Sequence, residues 1–250
     1  MQTPIVVIPA RMASTRLPGK PLADIGGKPM VVRVCERAKA AEMGPVWVAA
    51  AETEIVEAVT AWGFDAVLTD PDLPSGSDRV HAAVEAIDPA GTHDGVINLQ
   101  GDMPTLDPAA LTQLGQAFAA YPDADIATLA AEITDATERE DPNVVKAVLA
   151  AGQDKAAARA LYFTRASAPS GPGPLWHHVG VYGFRRDALA RFVGAPPSPL
   201  ELRERLEQLR ALEMGMMIAC GLLAGAPPNG VDTPDDLEAA RAWYAKKEKG

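Results

Sequence analysis

The chain has 250 residues, and 48% of them are hydrophobic, which is enough to bury a full core and argues against a disordered protein. Its net charge of −10 argues against a nucleic-acid binder, which needs a basic surface. The charge is unevenly spread, because residues 1–39 carry about +5 and the remainder about −15. We therefore expect a small anionic ligand near the beginning of the chain.

The cysteines and the apolar stretches indicate a cellular location. Cys35 and Cys220 lie far apart and lack metal-site spacing, which favours free thiols in a reducing cytosol. The stretch from Ile5 to Ala10 is too short for the hydrophobic region of a secretory signal, and no stretch reaches membrane-spanning length. We expect a cytoplasmic protein with no membrane partner and no nucleic-acid partner.

The first predicted element is a buried parallel strand, Ile5 to Ile8, which we expect Pro9 to end. The loop behind it is basic, hydroxyl-rich and closed by a Pro18-Gly19 turn. Its candidate ligands are Arg11, Ser14, Thr15, Arg16 and Lys20. Such a loop predicts a triphosphate cradle, although it has the glycine spacing of neither a P-loop nor a dinucleotide fingerprint. The alternative is a surface loop with three solvated cations.

Helices and strands then alternate along the chain. Periodicity predicts helices at about Met30 to Ala41, Glu54 to Trp62 and Ser77 to Ile87. Short apolar runs predict strands at Val46 to Ala49, Ala66 to Leu68 and Val96 to Leu99. This alternation predicts an α/β fold with a mostly parallel, doubly wound, Rossmann-like sheet that is covered by helices on both faces. Its ligand is expected at the carboxyl ends of the strands.

A glycine-containing turn, Ser75-Gly76-Ser77-Asp78-Arg79, runs into the third helix. Ser77 is a natural N-cap for that helix, which is a purely structural explanation. The functional alternative is that the hydroxyls and backbone amides of the turn contact a nucleoside.

Two carboxylates are candidate ligands of Mg²⁺, which commonly uses one or two carboxylates and leaves its other positions to phosphate and water. Asp102 follows the fourth strand on a Gly101 hinge, and its structural alternative is an Asx turn. Asp232 precedes the last helix, whose N-terminal capping box explains Thr233 and Asp236 but not Asp232. The sequence alone does not bring the two carboxylates together.

The middle of the chain has a different character. Extended runs are predicted at Ile126 to Ala130, Val144 to Leu149, Ala160 to Phe163 and Trp176 to Phe184. A loop rich in Pro and Gly follows Ser167 and predicts a flap or an interface. A helix is predicted from Leu200 to Leu212, with a solvated face as the plain interpretation of Glu207 and Arg210. We expect one domain over residues 1–250, with a smaller mixed α+β segment at about 155–215.

Taken together, these motifs resemble those of the 3-deoxy-manno-octulosonate cytidylyltransferases, the CMP-Kdo synthetases of lipopolysaccharide synthesis. The resemblance is collinear from the first strand to the last helix. The matching motifs are Pro9-Ala10-Arg11, Ser14-Thr15-Arg16-Leu17-Pro18-Gly19-Lys20-Pro21-Leu22, Ser75 to Arg79, Gln100-Gly101-Asp102, Pro142-Asn143-Val144-Val145-Lys146, Ala160 to Ala166, His178-Val179-Gly180-Val181-Tyr182, Pro197 to Glu201, Leu206-Glu207-Gln208-Leu209-Arg210 and Gly230 to Pro234. The first loop occurs more widely among sugar nucleotidyltransferases, whereas the last four motifs are far more specific.

The resemblance implies a role for each group of residues. Contacts to CTP are implied for Arg11, Ser14, Arg16, Lys20, Ser75, Gly76, Ser77 and Arg79. Contacts to the sugar acid are implied for Gln100, Arg165, His178, Tyr182, Glu207 and Gln208. Asp102 and Asp232 would share the catalytic Mg²⁺, with Arg11 and Lys20 completing the catalytic group. The resemblance also implies a cytoplasmic homodimer with its contact in the segment at about 155–215.

The chain departs from the family pattern in three places. Met103 stands where an acidic residue is frequent, and Ala49-Ala50-Ala51 stands where Ala-Thr-Asp commonly ends the second strand. Residues 169–174 replace a segment that often carries an arginine beside the sugar. These departures leave the expected reaction type intact and bear mainly on the substrate.

The expected reaction is attack by the anomeric 2-hydroxyl of 3-deoxy-D-manno-octulosonate (Kdo) on the α-phosphorus of CTP, with pyrophosphate leaving. It needs alignment and charge neutralisation more than a covalent nucleophile. One alternative keeps the chemistry and changes the sugar to 8-amino-Kdo or a sialic-type acid. Another is a non-catalytic nucleotide-binding protein.

Overall fold

The structure, a computed structural model, describes residues 1–14, 16–150, 156–225 and 230–247. The chain forms two compact units. The N-terminal unit comprises residues 2–111 and 228–250, and the central unit comprises Met1 and residues 112–227. The segment predicted at about 155–215 falls inside the central unit. Over the described ranges, no helix is both long enough and apolar enough to cross a membrane.

Strands and helices alternate through most of the described chain. The strands are β1 (Pro4–Ala10), β2 (Asp24–Ile25), β3 (Lys28–Pro29), β4 (Val46–Ala50), β5 (Asp65–Leu68), β6 (Gly95–Asn98), β7 (Ile126–Glu132), β8 (Lys146–Leu149), β9 (Ala157–Thr164), β10 (Trp176–Arg185) and β11 (Ile218–Leu223). The α-helices are α1 (Met30–Ala40), α2 (Thr53–Ala61), α3 (Gly76–Ile87), α4 (Pro108–Ala120), α5 (Ala136–Glu140), α6 (Arg186–Val193), α7 (Pro199–Glu204), α8 (Gln208–Glu213) and α9 (Pro234–Lys247). A short 3-10 helix occupies Lys20–Leu22.

The N-terminal unit contains a parallel sheet in the order β5-β4-β1-β6. Its centre is apolar, since Val6, Val7 and Ile8 of β1 are fully buried. The strand order reverses between β1 and β6, and in open α/β sheets ligands bind beyond the carboxyl ends of the strands at such a reversal. The predicted parallel, Rossmann-like sheet is therefore confirmed for this unit.

The predicted end of the first strand at Pro9 is wrong, because β1 continues to Ala10 and Pro9 pairs in register with Ala49. Val7 accepts a hydrogen bond from the N–H of Leu99, on the side of β6. Pro9, two residues further on, turns its missing N–H to that same side, beyond the last β1–β6 pair. The strand therefore tolerates this proline without losing a hydrogen bond of the ladder.

The central unit contains a mixed sheet in the order β10-β7-β11-β9-β8. Strand β7 is antiparallel to β10 and parallel to β11, and β9 is antiparallel to both β11 and β8. The four extended runs predicted from sequence correspond to β7, β8, β9 and β10. The sequence analysis missed β11, because a six-residue apolar run has no period that separates a buried strand from a helix.

The single helix predicted from Leu200 to Leu212 is wrong, because the structure has two helices, α7 and α8. The first begins with a capping box between Ser198 and Glu201, and it ends at Arg205, whose φ of 57° is left-handed. Apolar residues at helical spacing on both sides of this break imitate one continuous helix.

The solvated face suggested for Arg210 is also wrong, because this side chain is only 6% exposed. Its guanidinium donates to both carboxylate oxygens of Glu201, at 2.8 and 2.6 Å, and its charge lies 4.8 Å from the ring centre of Phe192. Glu201 in turn accepts from the backbone N–H of Ser198. This bidentate pair ties α8 to the beginning of α7.

We expect Arg210→Met to destabilise the protein by about 3–5 kcal/mol, because it leaves the largely buried Glu201 carboxylate without its cation. Urea denaturation monitored by circular dichroism measures this change. The matched control is Arg203→Met on the exposed surface of α7, which should change the free energy of unfolding by about 0.5 kcal/mol or less. Equal effects of the two substitutions would contradict the assigned role of the pair.

Candidate functional site

A cavity of about 690 Å³ opens in the N-terminal unit at the carboxyl ends of β1 and β6. It is lined by ten of the residues that the sequence analysis selected, drawn from four separate stretches of chain. They are Arg11, Ser14, Arg16, Lys20, Ser75, Gly76, Arg79, Gln100, Asp102 and Asp232. The cavity lies where the strand order of the sheet predicts a ligand.

The loop after β1 is folded back on itself. Gly19 adopts a left-handed φ of 70°, and its N–H donates to the carbonyl of Met12 at 3.3 Å. The hydroxyl of Ser14 accepts from the N–H of Leu17, and the Met12 N–H donates to the carboxylate of Glu52 at 2.9 Å. These bonds fix the backbone that carries the basic side chains. Thr15, the second predicted hydroxyl, lies outside the described residues.

The ammonium group of Lys20 joins the two acidic residues of the cavity. Its Nζ donates to Oδ2 of Asp102 at 2.8 Å and to Oδ1 of Asp232 at 3.1 Å. Arg16 adds a second cation, with its Nη2 3.0 Å from Oδ2 of Asp232. Burial lowers the pKa of Lys20, but the two carboxylates outweigh it and raise that pKa above its ordinary value. Lys20 therefore remains an ammonium and neutralises part of the acidic charge.

Asp232 is brought to Asp102 by the backbone and by the beginning of α9. The N–H of Val231 donates to the carbonyl of Asp102 at 2.8 Å. The predicted capping box is confirmed, because Asp236 accepts from the N–H groups of Asp232 and Thr233 while Thr233 Oγ1 accepts from the N–H of Asp236. The backbone hydrogen bond and the helix cap therefore bring together two carboxylates that are 130 positions apart in the sequence.

Gly101 allows the turn after β6 to approach the end of β1. A Cβ atom at this position would lie 2.8 Å from the carbonyl oxygen of Pro9, closer than real Cβ contacts. Any larger residue would push the turn away from β1 and carry Asp102 with it. The glycine hinge that the sequence suggested thus has a steric cause.

The turn into α3 differs from the prediction in one detail. The N-cap is Ser75, whose Oγ accepts from the N–H of Asp78 at 3.2 Å, so the prediction of Ser77 as N-cap is wrong. Ser77 is buried in the first turn and does not line the cavity. Two serines at this spacing offer the same capping signal, and the sequence does not distinguish them.

Arg79 lines the cavity but is only 2% exposed. Its guanidinium donates to Thr69 Oγ1 and to the carbonyls of Asp70 and Pro71, at 2.6, 3.0 and 3.2 Å. Burial lowers the pKa of Arg79, and Glu52 opposes this shift while Arg11 adds to it. In this structure Arg79 holds the loop after β5 against the cavity.

The residues of two departures from the family pattern do not line the cavity. Ala50 and Ala51 are buried at the end of β4, and Met103 is also buried. None of the three is among the residues that line the cavity.

Asp102 and Asp232 suit a magnesium ion by the chemistry of their donors. Both carboxylates contact one ammonium nitrogen, so the contacting oxygens are no more than about 6 Å apart and already share a cation. Over the described ranges, no group of three or more His, Cys, Asp or Glu side chains could hold a metal. An ion at this point would therefore depend on two carboxylates and on oxygens from substrate and water, as magnesium does with nucleotides.

Five of the predicted sugar-acid residues lie in the central unit, and Gln100 lies in the N-terminal unit, where it donates to Asn98 at 3.2 Å. His178 is buried on β10, with Nε2 2.9 Å from the hydroxyl of Thr128. That hydroxyl also lies 2.9 Å from the carbonyl of Val181, to which it can only donate. It therefore accepts from His178, which carries its proton on Nε2.

Burial lowers the pKa of His178 to about 3, and His177 adds to this shift. The ring of Tyr182 is 5.6 Å from the ring of His178. Burial raises the pKa of Tyr182, with Glu207 contributing, so both rings are neutral at neutral pH. Gln208 is buried at the beginning of α8, next to Glu207.

Arg165 is held by backbone carbonyls. Its Nε donates to the carbonyl of Glu204 at 3.1 Å, and its Nη1 donates to the carbonyl of Pro142 at 3.0 Å. The sequence analysis assigned no role to Glu204, to the buried Lys146 or to Thr128. A polar residue inside an apolar strand was the available signal for Thr128 and Lys146, whereas nothing in the sequence marks Glu204.

Comparisons with known proteins agree on one family. A family model described as cytidylyltransferase matches residues 5–218. A protein of Parvibaculum lavamentivorans named 3-deoxy-manno-octulosonate cytidylyltransferase is 63% identical over 244 residues, covering 98% of this chain and 93% of the relative. A protein of Rhodospirillum rubrum with the same name is 60% identical, covering 96% of this chain and 94% of the relative.

Solved structures give the same result. A CMP:2-keto-3-deoxy-manno-octonic acid synthetase complexed with CTP is 40% identical, has a TM-score of 0.89 and covers 98% of this chain and 99% of its own. A nucleotidyl transferase from Methanothermobacter has a TM-score of 0.65 at 14% identity, over 98% and 99% of the two chains. The second likeness concerns the fold alone, and together they establish a nucleotidyltransferase-type α/β fold.

We expect acid to destabilise the protein through His178. Below its ordinary pKa of 6.5 an unfolded histidine binds a proton, whereas folded His178 stays neutral down to about pH 3. The unfolded state therefore binds more protons in this window, and stability falls by up to about 1.4 kcal/mol per pH unit as the pH is lowered. Urea denaturation of the wild type and of His178→Gln, from pH 7 to pH 4.5, measures how the free energy of unfolding changes with pH. In the variant, the slope of the free energy of unfolding against pH should be smaller by the contribution of about one proton. Identical slopes in the two proteins would contradict a buried neutral imidazole.

Proposed function

The chain belongs to the 3-deoxy-manno-octulosonate cytidylyltransferases, and on that premise we propose that the cavity of its N-terminal unit binds the triphosphate of CTP. The protein is a nucleotidyltransferase that activates Kdo with CTP, giving CMP-Kdo and pyrophosphate for lipopolysaccharide biosynthesis. The observation that carries the location is the contact of Lys20 with both Asp102 and Asp232. This contact combines a cation for phosphate with two carboxylates for a metal ion. It lies inside a cavity at the place where the strand order of the sheet predicts a ligand.

The reaction forms a bond from the anomeric 2-hydroxyl oxygen of Kdo to the α-phosphorus of CTP, while the bond from that phosphorus to pyrophosphate breaks. The triphosphate carries several negative charges, and more of this charge reaches the leaving group as the bond breaks. We assign Arg11, Arg16 and Lys20 to these phosphates, because all three cations are among the residues that line the cavity. Ser14 and the Ser75–Gly76 turn line the cavity as well and are assigned to the nucleotide. Catalysis then comes from alignment and charge stabilisation.

Asp102 and Asp232 are the residues that would hold Mg²⁺, which when bound neutralises phosphate charge and orients the phosphate oxygens. Lys20 is charged beside these carboxylates, because they raise its pKa. Its side chain is 16% exposed, against 65% for Arg16, so its interactions are less weakened by water. Lys20 is therefore the stronger of the two phosphate ligands.

For the sugar acid we assign complementary roles to residues of the central unit. Arg165 supplies a cation for the carboxylate of Kdo, and Glu207 accepts from its hydroxyls. Gln208 can donate or accept. His178 uses Nε2–H on Thr128, so its Nδ1 is the acceptor that remains for a sugar hydroxyl. Gln100 and Tyr182 complete this proposed set.

We also propose that the protein works in the cytoplasm as a homodimer. Its two cysteines, Cys35 and Cys220, are buried free thiols, which suits a reducing compartment. Large apolar side chains are exposed in the central unit at Leu161, Leu202 and Met214, and in the N-terminal unit at Trp62 and Leu68. We assign the contact between subunits to the central unit from the family resemblance.

The substrate is tested by measuring pyrophosphate release with CTP and Mg²⁺ against Kdo, 8-amino-Kdo and a sialic acid. Kdo should give the highest kcat/KM. A higher kcat/KM with another acid would mean that the reaction is as proposed but that the preferred sugar acid is a different one. Absence of release with all three acids would favour a non-catalytic nucleotide-binding protein.

We expect Asp102→Asn and Asp232→Asn each to abolish turnover while the protein remains folded. Both carboxylates are proposed to bind one ion, so the double variant should be little worse than either single variant. Steady-state kinetics at saturating CTP and Kdo, with circular dichroism as the control for folding, measures this. Substantial turnover of Asp232→Asn at ordinary Mg²⁺ concentrations would contradict the shared ion.

We expect Lys20→Ala to weaken CTP binding by about 1.5–3 kcal/mol, which is the usual loss for a hydrogen bond to a charged group. Arg16→Ala should cost less, about 1 kcal/mol or below, because that side chain is mostly exposed. Calorimetric titration with CTP and Mg²⁺ measures both. Lys28→Ala, which removes a lysine paired with Glu36 outside the cavity, is the control. Unchanged affinity in Lys20→Ala would return the loop to the status of an ordinary surface loop.

A further inference from the structure

Glu204, the last residue of α7, holds the segment that carries Arg165. Its Oε2 accepts from the backbone N–H of Arg165 at 3.2 Å. Its Oε1 accepts from the hydroxyl of Thr164 at 3.0 Å and, at the longer distance of 3.5 Å, from the hydroxyl of Tyr162. Its backbone carbonyl accepts from Nε of Arg165. One residue thus contacts both the backbone and the side chain of Arg165.

The other side of Arg165 is held by the loop before β8. The carbonyl of Pro142 accepts from Nη1, as described above. The adjacent carbonyl of Asp141 accepts from Nζ of Lys146 at 2.6 Å, and the same ammonium lies 3.5 Å from the carbonyl of Arg165. Lys146 is fully buried, so this anchor does not depend on a mobile surface side chain.

These contacts fix the plane of the guanidinium group. Two of its five N–H groups are engaged by the carbonyls of Glu204 and Pro142, which leaves three outside these two bonds. A free arginine side chain loses about 2 kcal/mol of rotamer entropy when it is immobilised. An arginine that is already immobilised binds a carboxylate without that loss.

We propose that Glu204 is a positioning residue that presets Arg165 for the carboxylate of the sugar acid. This inference rests on the proposed function, which assigns Arg165 to that carboxylate. Glu204 acts through hydrogen bonds and not through its charge, since it contacts the Arg165 backbone and the Thr164 hydroxyl with its carboxylate and the guanidinium with its carbonyl.

The test compares Glu204→Ala, Glu204→Gln and Arg165→Ala with wild type by steady-state kinetics in both substrates. Glu204→Ala keeps the carbonyl that holds Nε but removes the carboxylate that holds the Arg165 backbone and the Thr164 hydroxyl. It should raise the KM for Kdo by about threefold to tenfold, at most the effect of losing one hydrogen bond of ordinary strength, and leave the KM for CTP unchanged. Glu204→Gln should stay within about twofold of wild type. Its amide oxygen still accepts from the Arg165 N–H, and its NH₂ group donates to Thr164. If Glu204 acted through its negative charge, Glu204→Ala and Glu204→Gln would both raise the KM for Kdo.

Two further variants separate positioning from a general structural effect. Glu213 also accepts a backbone N–H, that of Leu200, but does not contact Arg165. Glu213→Ala should therefore leave the KM for Kdo unchanged. In an Arg165→Ala background, Glu204→Ala should add less than twofold, because a positioning residue has no effect once its target is gone. If Glu204→Ala does not fold, Thr164→Val releases one oxygen of Glu204 and should raise the KM for Kdo about threefold.

The results separate a failure of the positioning role of Glu204 from a failure of the proposed sugar-acid site. If Arg165→Ala raises the KM for Kdo but Glu204→Ala does not, the positioning role is wrong and the sugar-acid assignment stands. An equal rise in Glu213→Ala, or a full effect of Glu204→Ala without Arg165, also overturns it. If Arg165→Ala leaves the KM for Kdo unchanged, the assignment of Arg165 fails and the inference fails with it.

Discussion

The ammonium of Lys20 lies between the carboxylates of Asp102 and Asp232 and balances part of their charge. Without it, two acidic side chains would repel each other inside a partly closed cavity and repel a triphosphate as well. With it, the cavity holds a mixed set of charges that can accept both an anion and a hard cation. The carboxylates raise the pKa of Lys20 and keep it protonated, and the Lys20 ammonium contacts one oxygen of each carboxylate.

The fold supplies this arrangement through backbone constraints. The reversal of strand order between β1 and β6 opens the crevice, and Gly101 lets the turn after β6 approach the end of β1. One backbone hydrogen bond, from Val231 to Asp102, then joins the last part of the chain to that turn. Packing of α9 secures the join, because Val231 and Leu237 share a buried cluster with Ile25 and Met30. Backbone contacts of the fold and the packing of α9 thus bring Asp102 and Asp232 together.

Local signals in the sequence were sufficient to predict much of the N-terminal unit. Period and composition predicted β1, β4, β5, β6 and the helices between them. That the basic loop binds a triphosphate stays a prediction. The sequence did not show that Asp102 and Asp232 meet, because that contact depends on long-range packing. It misplaced the N-cap at Ser77, where a neighbouring serine offers the same chemistry, and it joined α7 to α8 across the left-handed Arg205. Arg210 was misjudged for a similar reason, since its partner Glu201 lies on the other helix.

We propose that one metal ion and the triphosphate of CTP meet at Asp102, Asp232 and Lys20. A crystal structure with CTP and Mn²⁺, a magnesium substitute with a measurable anomalous signal, shows where both bind. We expect one anomalous peak bonded to an oxygen of each of Asp102 and Asp232, with Lys20 in contact with a phosphate oxygen. A peak that leaves either aspartate uncoordinated, or a triphosphate bound away from the loop of Arg11 and Lys20, would contradict it.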